Sequence, residues 1–411
     1  MRLHLRRALL FLSVLALVSV LSLHLLQSDT SWLLGLPGQR FLTKARHFQA
    51  GFPTTLEPKP NVWEINEKSD RIIEQINFKP KNYEKTMLKN TTKPKLIYIH
   101  GGIGDFNAKL GKKEFQRQEC RVQNCYLTIS ELDAAKADAI LFRQTVSLAL
   151  SDRLATPHQV WIYFTLEAPY SLPSFEGLEN IFNWTATYRR DSTIVAPYEK
   201  WTPFDPPVDS PSVDRNFAAG KTKQVAWFVS NCGANNNRLE YAHELGKHID
   251  VDIFGFCGNN DCPKFNQDCW ERLNEDYKFY LAFENANCRD YITEKFFQNG
   301  LGYDVIPIVM GAHPDDYRKV APPHSYISVE DFEDPKSLAE YLIKLDNDDK
   351  KYNQYFRWKG TGRFINTKFW CRVCALLNDE DKPTRIIGNF QEWWNGEGIC
   401  RRTPWTSKRK F

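Results

Sequence analysis

Residues 225–310 repeat one pattern twice, strand then loop then helix then strand, and this repeat restricts the fold more tightly than any other feature. VAWFV at 225–229 is an apolar, β-branched and aromatic run, followed by a polar loop at 230–237. Over 238–248, Leu239, Ala242, Leu245 and Ile249 share one helical face. A strand at 251–254 closes the first unit. A strand at 280–283, a helix over 291–299 and a strand at 305–310 form the second. Strands joined through helices predict a parallel sheet, because parallel neighbours need a long crossover. Such sheets bind ligands beyond the carboxyl ends of their strands. In the junction FYLAFENANCRDYITEK (279–295) the apolar run stops at Glu284-Asn285, and a helix is expected to open with Tyr291, Glu294 and Lys295 in its first turns. Free N–H groups and the helix dipole favour an anion there. The junction therefore predicts a site for a phosphorylated donor.

An earlier block has the same character. LIYI at 96–99 and runs at 139–142, 160–164 and 180–188 read as strands, with helices expected over 132–138 and 146–154. A proline-rich stretch at 201–212 breaks regular structure, which places a linker near 206–223. A further helix is expected over 338–345. With 42% hydrophobic and 14% aromatic residues the chain can fill two cores, and 411 residues suit two domains. A net charge of +4 with no dense basic block argues against nucleic acid as a partner.

The N-terminal end carries a different signal. Arg2, Arg6 and Arg7 precede an uncharged run at 8–26. A run of about 17–25 apolar residues can span a bilayer, whereas a signal-peptide core has about 7–15. The positive flank stays in the cytosol. The expected layout is a cytoplasmic tail at 1–7, a transmembrane signal-anchor at 8–26, a partly flexible stem at 27–93 and a lumenal globular part. A cleaved signal peptide is the alternative. Ten cysteines suit an oxidising lumen. Cys371 and Cys374 form a CxxC without the second pair of a zinc ribbon, which favours structural disulfides over metal. Asn90-Thr91-Thr92 and Asn183-Trp184-Thr185 fit the N-glycosylation pattern.

Several residues suit chemistry. Glu167 ends the strand WIYFTLE before Ala168-Pro169, where a carboxylate can reach into a cleft and act as a base. The competing reading is a solvated turn residue. In Tyr188-Arg189-Arg190-Asp191 the paired arginines either clamp an anion or pair with Asp191. Arg238 and Lys295 each open a helix at equivalent positions of adjacent units. Cations so placed would stabilise a departing diphosphate, although helix-surface charges look the same in sequence. Asp250-Val251-Asp252 is a D-x-D, an arrangement that holds manganese in one class of sugar-nucleotide enzymes. Here it leads straight into an apolar strand, which favours a capping or solvated role. The HGGIG at 100–104 lacks G-x-G-x-x-G spacing, and its glycines suit a tight turn.

WIYFTLEAP, FNWTATYRRDS, AWFVSNC with RLEYAHEL, VDIFGFCG, FYLAFENANCRDYITEKFF, IPIVMG and WCRVC follow one another over 160–374. In that order they resemble the α-1,3-fucosyltransferases, family 10 of the inverting glycosyltransferases. The likeness is greatest to the animal and plant branch that fucosylates the N-glycan core. The resemblance implies an α/β fold of the GT-B kind, two Rossmann-like domains with the active site in the cleft between them. The acceptor-side domain would span 94–215, the GDP-fucose-binding domain 216–375 and a C-terminal extension 376–411. It further implies transfer of L-fucose from GDP-β-L-fucose, with inversion, to the 3-hydroxyl of GlcNAc. The Asn-linked core GlcNAc of N-glycans is the leading acceptor. Antennal, Lewis-type GlcNAc is the alternative, and an inactive lumenal glycan-binding protein is a third reading.

By the same resemblance Glu167 is the general base, and Arg238 and Lys295 hold the diphosphate. Asn285, Tyr291 and Glu294 bind the donor, and Tyr188 and Arg190 line the cleft beside it. No metal ligands and no tightly bound cofactor are implied, with stimulation by Mn2+ left open. The implied partners are GDP-fucose, an N-glycan or glycoprotein acceptor, and a membrane reached through the N-terminal helix. The implied location is the Golgi membrane, single-pass type II, with the catalytic part lumenal.

Overall fold

A computed structural model describes residues 61–411 except 66–68, 89–92, 105, 144–155, 209–214, 261 and 263–266. The expected anchor at 8–26, the helix over 146–154 and the sequon at Asn90 lie outside the described residues. Among the described residues no helix is long and apolar enough to cross a membrane.

The first block builds a parallel sheet from β1 (Lys95–His100), β2 (Cys125–Thr128), β3 (Ala139–Arg143), β4 (Val160–Thr165) and β5 (Trp184–Thr187). Its spatial order is β2-β1-β3-β4-β5. After the short β6 (Trp201–Pro203), the second block supplies β7 (Lys223–Phe228), β8 (Val251–Phe254), β9 (Tyr277–Phe283), the two-residue β10 (Asn287–Cys288), β11 (Ile306–Met310) and β12 (Ile327–Ser328). Its sheet runs β12-β11-β9-β7-β8, again all parallel. Leaving β10 aside, both sheets have the order 2-1-3-4-5 counted from their own first strand. That is a doubly wound topology with a crevice at the carboxyl ends of strands 1 and 3. Two ribbons complete the strands. β13 (Gly362–Phe364) pairs with β6, and β14 (Cys400–Arg401) pairs with β10.

Burial follows from that topology. All of β9 and β11 is buried, as parallel strands covered on both faces must be. On one face Phe279, Leu281, Ile306 and Ile308 meet Tyr241 and Leu245 of helix Arg238–Leu245 and Leu338 and Leu342 of helix Pro335–Asp346. On the other, Tyr280, Ala282 and Val309 meet Leu273, Phe296, Phe297 and Tyr317.

Four local differences from expectation have physical causes. Residues 132–138 form a tight 3-10 helix, Glu131–Lys136, because β3 begins too soon after it for α-helical turns. The helix expected over 291–299 is the single turn Glu294–Phe297. Asp290 is left-handed (φ 59°), Tyr291 is drawn into the aromatic cluster, and Thr293 takes the cap. Residues 61–88, read as stem, hold helices Arg71–Asn77 and Tyr83–Leu88 and pack on the first sheet through buried Val62 and half-buried Trp63, Phe78 and Tyr83. A helix of two turns is too short for its periodicity to stand out. Helix Phe369–Leu377, expected within the donor-side half, also packs on the first sheet. Cys371 and Cys374 hold it there by disulfides to Cys120 and Cys125. Its buried Arg372 donates to the carbonyls of Val195 (2.7 Å) and Thr367 (2.7 Å), and burial beside Arg71 lowers its guanidinium to about 9.

Candidate active site

The crevice of the second sheet lies between the chain leaving β7 and the chain leaving β9. Arg238 follows the first and Lys295 the second, so topology alone brings these two cations to one cleft. Arg238 is only 3% exposed. Its guanidinium donates to the carbonyls of Phe283 (2.7 Å) and Asn231 (2.9 Å), and lies over the Trp227 ring. It pairs directly with no carboxylate among the described residues, and its buried Nε has no partner. Burial lowers the guanidinium below its ordinary value, with the Glu284 carboxylate opposing. Arg238 thus stiffens the mouth of the crevice while leaving its charge uncancelled.

Lys295 has a tighter setting. Its Nζ donates to Thr293 Oγ1 (3.0 Å) and Glu294 Oε1 (2.9 Å), and stands 3.4 Å from Glu284 Oε2. Glu284 is fully buried and accepts from both the N–H and the hydroxyl of Thr293, each at 2.8 Å. Burial pushes the Glu284 carboxyl up, against the pull of Lys295. Burial would lower Lys295, yet Glu284 and Glu294 together raise its ammonium above the ordinary value. Burial would likewise raise Glu294, and Lys295 brings it below its ordinary value. A four-residue helix has little macrodipole, so the cationic character here comes from side chains rather than from the helix end expected from sequence.

The first sheet contributes the facing wall. Glu167 stands two residues beyond β4, half-buried, its N–H donating to Thr165 Oγ1 (3.1 Å). Tyr198 donates from its hydroxyl to the adjacent Leu166 carbonyl (2.8 Å). Burial pushes the Tyr198 phenol up, and the charges of Glu284, Glu294 and Glu167 add to it. Burial also raises the phenol of Tyr291, with Glu284 and Glu167 again adding. Carboxylates from both halves therefore surround these two phenols. Tyr188 packs on Tyr291 with ring centroids 5.0 Å apart, and its buried hydroxyl has no protein partner. The Asn285 Oδ1 is likewise buried without a partner, at the end of β9. Unpaired buried polar atoms are costly, and a polar ligand in the cleft could satisfy these.

Arg190 is placed differently. Its Nε donates to Asp290 Oδ1 (2.7 Å), and Asp290 also accepts from its backbone N–H (3.0 Å). Asp316 extends the network to Arg289, at 2.9 Å from both Nε and Nη2. Arg190 thus ties the loop after β5 to the loop after β10. A cavity of about 720 Å3 lies along this tie, lined by Tyr188, Arg190, Asp290 and Trp201. Glu167, Arg238 and Lys295 do not line it. The switch-point crevice, where the charges converge, is the better site for chemistry.

The D-x-D pair and the Asn183 sequon lie at the amino ends of their strands, away from the crevice. Asp252 sits at the amino end of β8, away from the crevice, held by Lys223 Nζ (2.8 Å) and the Tyr277 hydroxyl (2.5 Å). Asp250 is on the same edge. Among the described residues no group of three or more His, Cys, Asp or Glu could hold a metal ion. Asn183 is buried, with Nδ2 donating to the Thr384 carbonyl (3.0 Å) and Oδ1 accepting from Trp161 N–H (2.8 Å). Both ends of that side-chain amide are thus engaged inside the folded chain. In the HGGIG turn, Gly104 has φ +50° and a Cβ on it would strike the Arg143 guanidinium.

Residues 218–393 match glycosyltransferase family 10 (fucosyltransferase), C-terminal region, and residues 92–199 match the fucosyltransferase N-terminal region. Over 340 residues the chain is 51% identical to glycoprotein 3-alpha-L-fucosyltransferase A of Drosophila melanogaster, covering 82% of this chain and 67% of that protein. It is a family 10 fucosyltransferase. It is also 37% identical to 3-galactosyl-N-acetylglucosaminide 4-alpha-L-fucosyltransferase FUT3 of Bos taurus, over 66% of this chain and 74% of that one. A crystal structure of an alpha1,3-fucosyltransferase is similar at TM-score 0.48 and 16% identity, covering 72% of this chain and 94% of that chain.

Sequence reading missed two side chains of this fucosyltransferase's crevice. Glu284 looked like the polar end of an apolar run, yet it is the buried anchor of Thr293 and Lys295. The available signal was a carboxylate directly continuing a fully apolar strand. Tyr198 lies in a loop without periodicity, and nothing local marks it.

Proposed function

We propose that this chain is a GT-B glycosyltransferase that transfers L-fucose from GDP-β-L-fucose, with inversion, to the 3-hydroxyl of the Asn-linked GlcNAc of N-glycans. The observation that carries the acceptor choice is the 51% identity to a glycoprotein 3-alpha-L-fucosyltransferase, against 37% to the galactosyl-N-acetylglucosaminide enzyme. The geometry supports the chemistry. Glu167 takes the proton of the acceptor hydroxyl as its oxygen attacks the fucose anomeric carbon from the face opposite the diphosphate. The bond from that carbon to the β-phosphate oxygen breaks, and its electron pair leaves with GDP. Lys295 and Arg238 stabilise the charge that develops there. Asn285, with its unpartnered Oδ1, suits a hydroxyl or amine of the nucleoside, and Tyr291 and Glu294 suit the sugar. The Asp250 and Asp252 pair does not fit a manganese ion, so no step runs through one.

The test is product mapping. The purified protein is incubated with GDP-fucose and defined N-glycans, and the product is analysed by mass spectrometry with glycosidase digestion. Fucose α-1,3-linked to the Asn-linked GlcNAc is expected, and fucose on antennae alone would reject the core assignment.

We also propose a Golgi membrane location, type II, with the globular part lumenal. It is supported by the uncharged run at 8–26 behind three arginines and by pairing of all ten cysteines in disulfides. In sealed Golgi vesicles the globular part should resist added protease until detergent is present. Digestion without detergent would refute this topology.

A further inference from the structure

Residues 400–411 run back across the carboxyl edge of the second sheet and reach the helix that Arg238 opens and the backbone at Gly311, beside Glu284. The Cys288–Cys400 disulfide and the β10–β14 pairing fix where the segment starts, and Asn287 Nδ2 donates to the Thr403 carbonyl (3.3 Å). Trp405 Nε1 then donates to the carbonyl of Gly311, just past β11 (2.7 Å). The buried Glu330 accepts from the N–H groups of Trp405 (3.0 Å) and Thr406 (2.9 Å) and pairs with buried Arg409 at 3.0 Å. Arg409 lies over the Tyr241 ring, 5.0 Å from its centroid, and Phe411 packs on the same ring. Tyr241 belongs to the helix that Arg238 opens.

Gly311 is where this segment meets the site. Its φ is +147°, and a Cβ added there would stand 2.5 Å from Glu284 Cβ. The Gly311 backbone therefore lies directly against the side chain that holds Thr293 and faces Lys295. Glu284 is also tied to the same strand end by its N–H, which donates to the Met310 carbonyl (2.8 Å).

We propose that residues 403–411 form a positioning strap for the donor diphosphate. Trp405 fixes Gly311, and through it Glu284 and Lys295. Arg409, locked by Glu330, holds the helix that carries Arg238. Neither Trp405 nor Arg409 touches substrate, and the proposal rests on the reading that Lys295 and Arg238 hold the diphosphate.

Trp405→Phe keeps an aromatic ring, though a smaller one, and removes the donor, and Arg409→Ala removes the lock while Arg409→Lys keeps its charge. Steady-state kinetics on the full chain and GDP binding by calorimetry test the strap. Misplacement on the order of 1 Å can cost about a hundredfold, so a partial shift should raise the KM for GDP-fucose and the Kd for GDP roughly tenfold. The acceptor KM should stay unchanged, and Arg409→Lys should restore most of the loss. A strap that only stabilises the fold would lower Tm and the active fraction and leave every KM at the wild-type value, which would overturn the proposal. Lys295→Ala separates the two levels. If it leaves GDP affinity intact, the diphosphate reading fails and the strap with it. If it weakens GDP while both strap variants keep the wild-type KM, the strap alone fails.

Discussion

Lys295→Ala should lower kcat/KM for fucosyl transfer by about 10²–10³-fold, the usual loss when one group that stabilises developing charge is removed. The size follows from the Lys295 environment. Its ammonium is held 3.4 Å from the buried Glu284 and 2.9 Å from Glu294, and is 23% exposed. A preorganised cation of this kind needs little rearrangement when the diphosphate departs. Its charge is also secure. Its folded-state pKa is raised, so the stability it contributes is complete below the unfolded value of about 10.4 and is lost only as pH climbs past the folded value. Loss of charge on Lys295 therefore cannot explain any decline in rate between neutral pH and about 9. Removing the side chain has a second consequence, because it strips the counter-charge from Glu284. Leaving one partner of a buried pair alone costs about 3–5 kcal/mol, so the rate must be taken on protein shown folded by circular dichroism. Wild-type turnover in folded Lys295→Ala would remove Lys295 from the chemistry.

The sequence made the second sheet and its two cations legible because both depend on local pattern. Apolar runs of four to seven residues marked β7, β8, β9 and β11, and the polar loops between them placed Arg238 and Lys295 at strand ends. The crevice itself needed one thing more, the adjacency of β7 and β9, which only the sheet order supplies. What stayed hidden depends on contacts remote in sequence. Cys371 and Cys374 showed that disulfides were plausible, but their partners lie 251 and 249 residues away. Glu330 meets Arg409 across 79 residues, and Gly311 meets Trp405 across 94. No window of helical or strand length spans such distances. The ion pairs of Arg190 show the same limit. Its two carboxylate neighbours, Asp290 and Asp316, come from the other half of the chain.

Glu167→Gln should lower kcat by about 10²–10⁴-fold, the contribution of a positioned general base, and should leave GDP affinity and Tm near wild type. The fold has little reason to respond. The hydrogen bond of Glu167 to Thr165 uses its backbone N–H, which the substitution keeps. Its side chain makes no described ion pair, and the amide is nearly the same size. GDP affinity should hold because the proposed diphosphate contacts, Arg238 and Lys295, follow strands of the second sheet, whereas Glu167 follows β4 of the first. Glu167→Asp sharpens the test. It keeps the carboxylate but withdraws it by one methylene, and misplacement on the order of 1 Å can cost about a hundredfold. Aspartate should therefore fall between wild type and glutamine if a base acts at this point. Equal activity in Glu167→Gln and wild type would show that the acceptor proton leaves by another route. A glutamine variant that lost GDP binding would place Glu167 in the donor site instead, and the division of labour between the two sheets would be wrong.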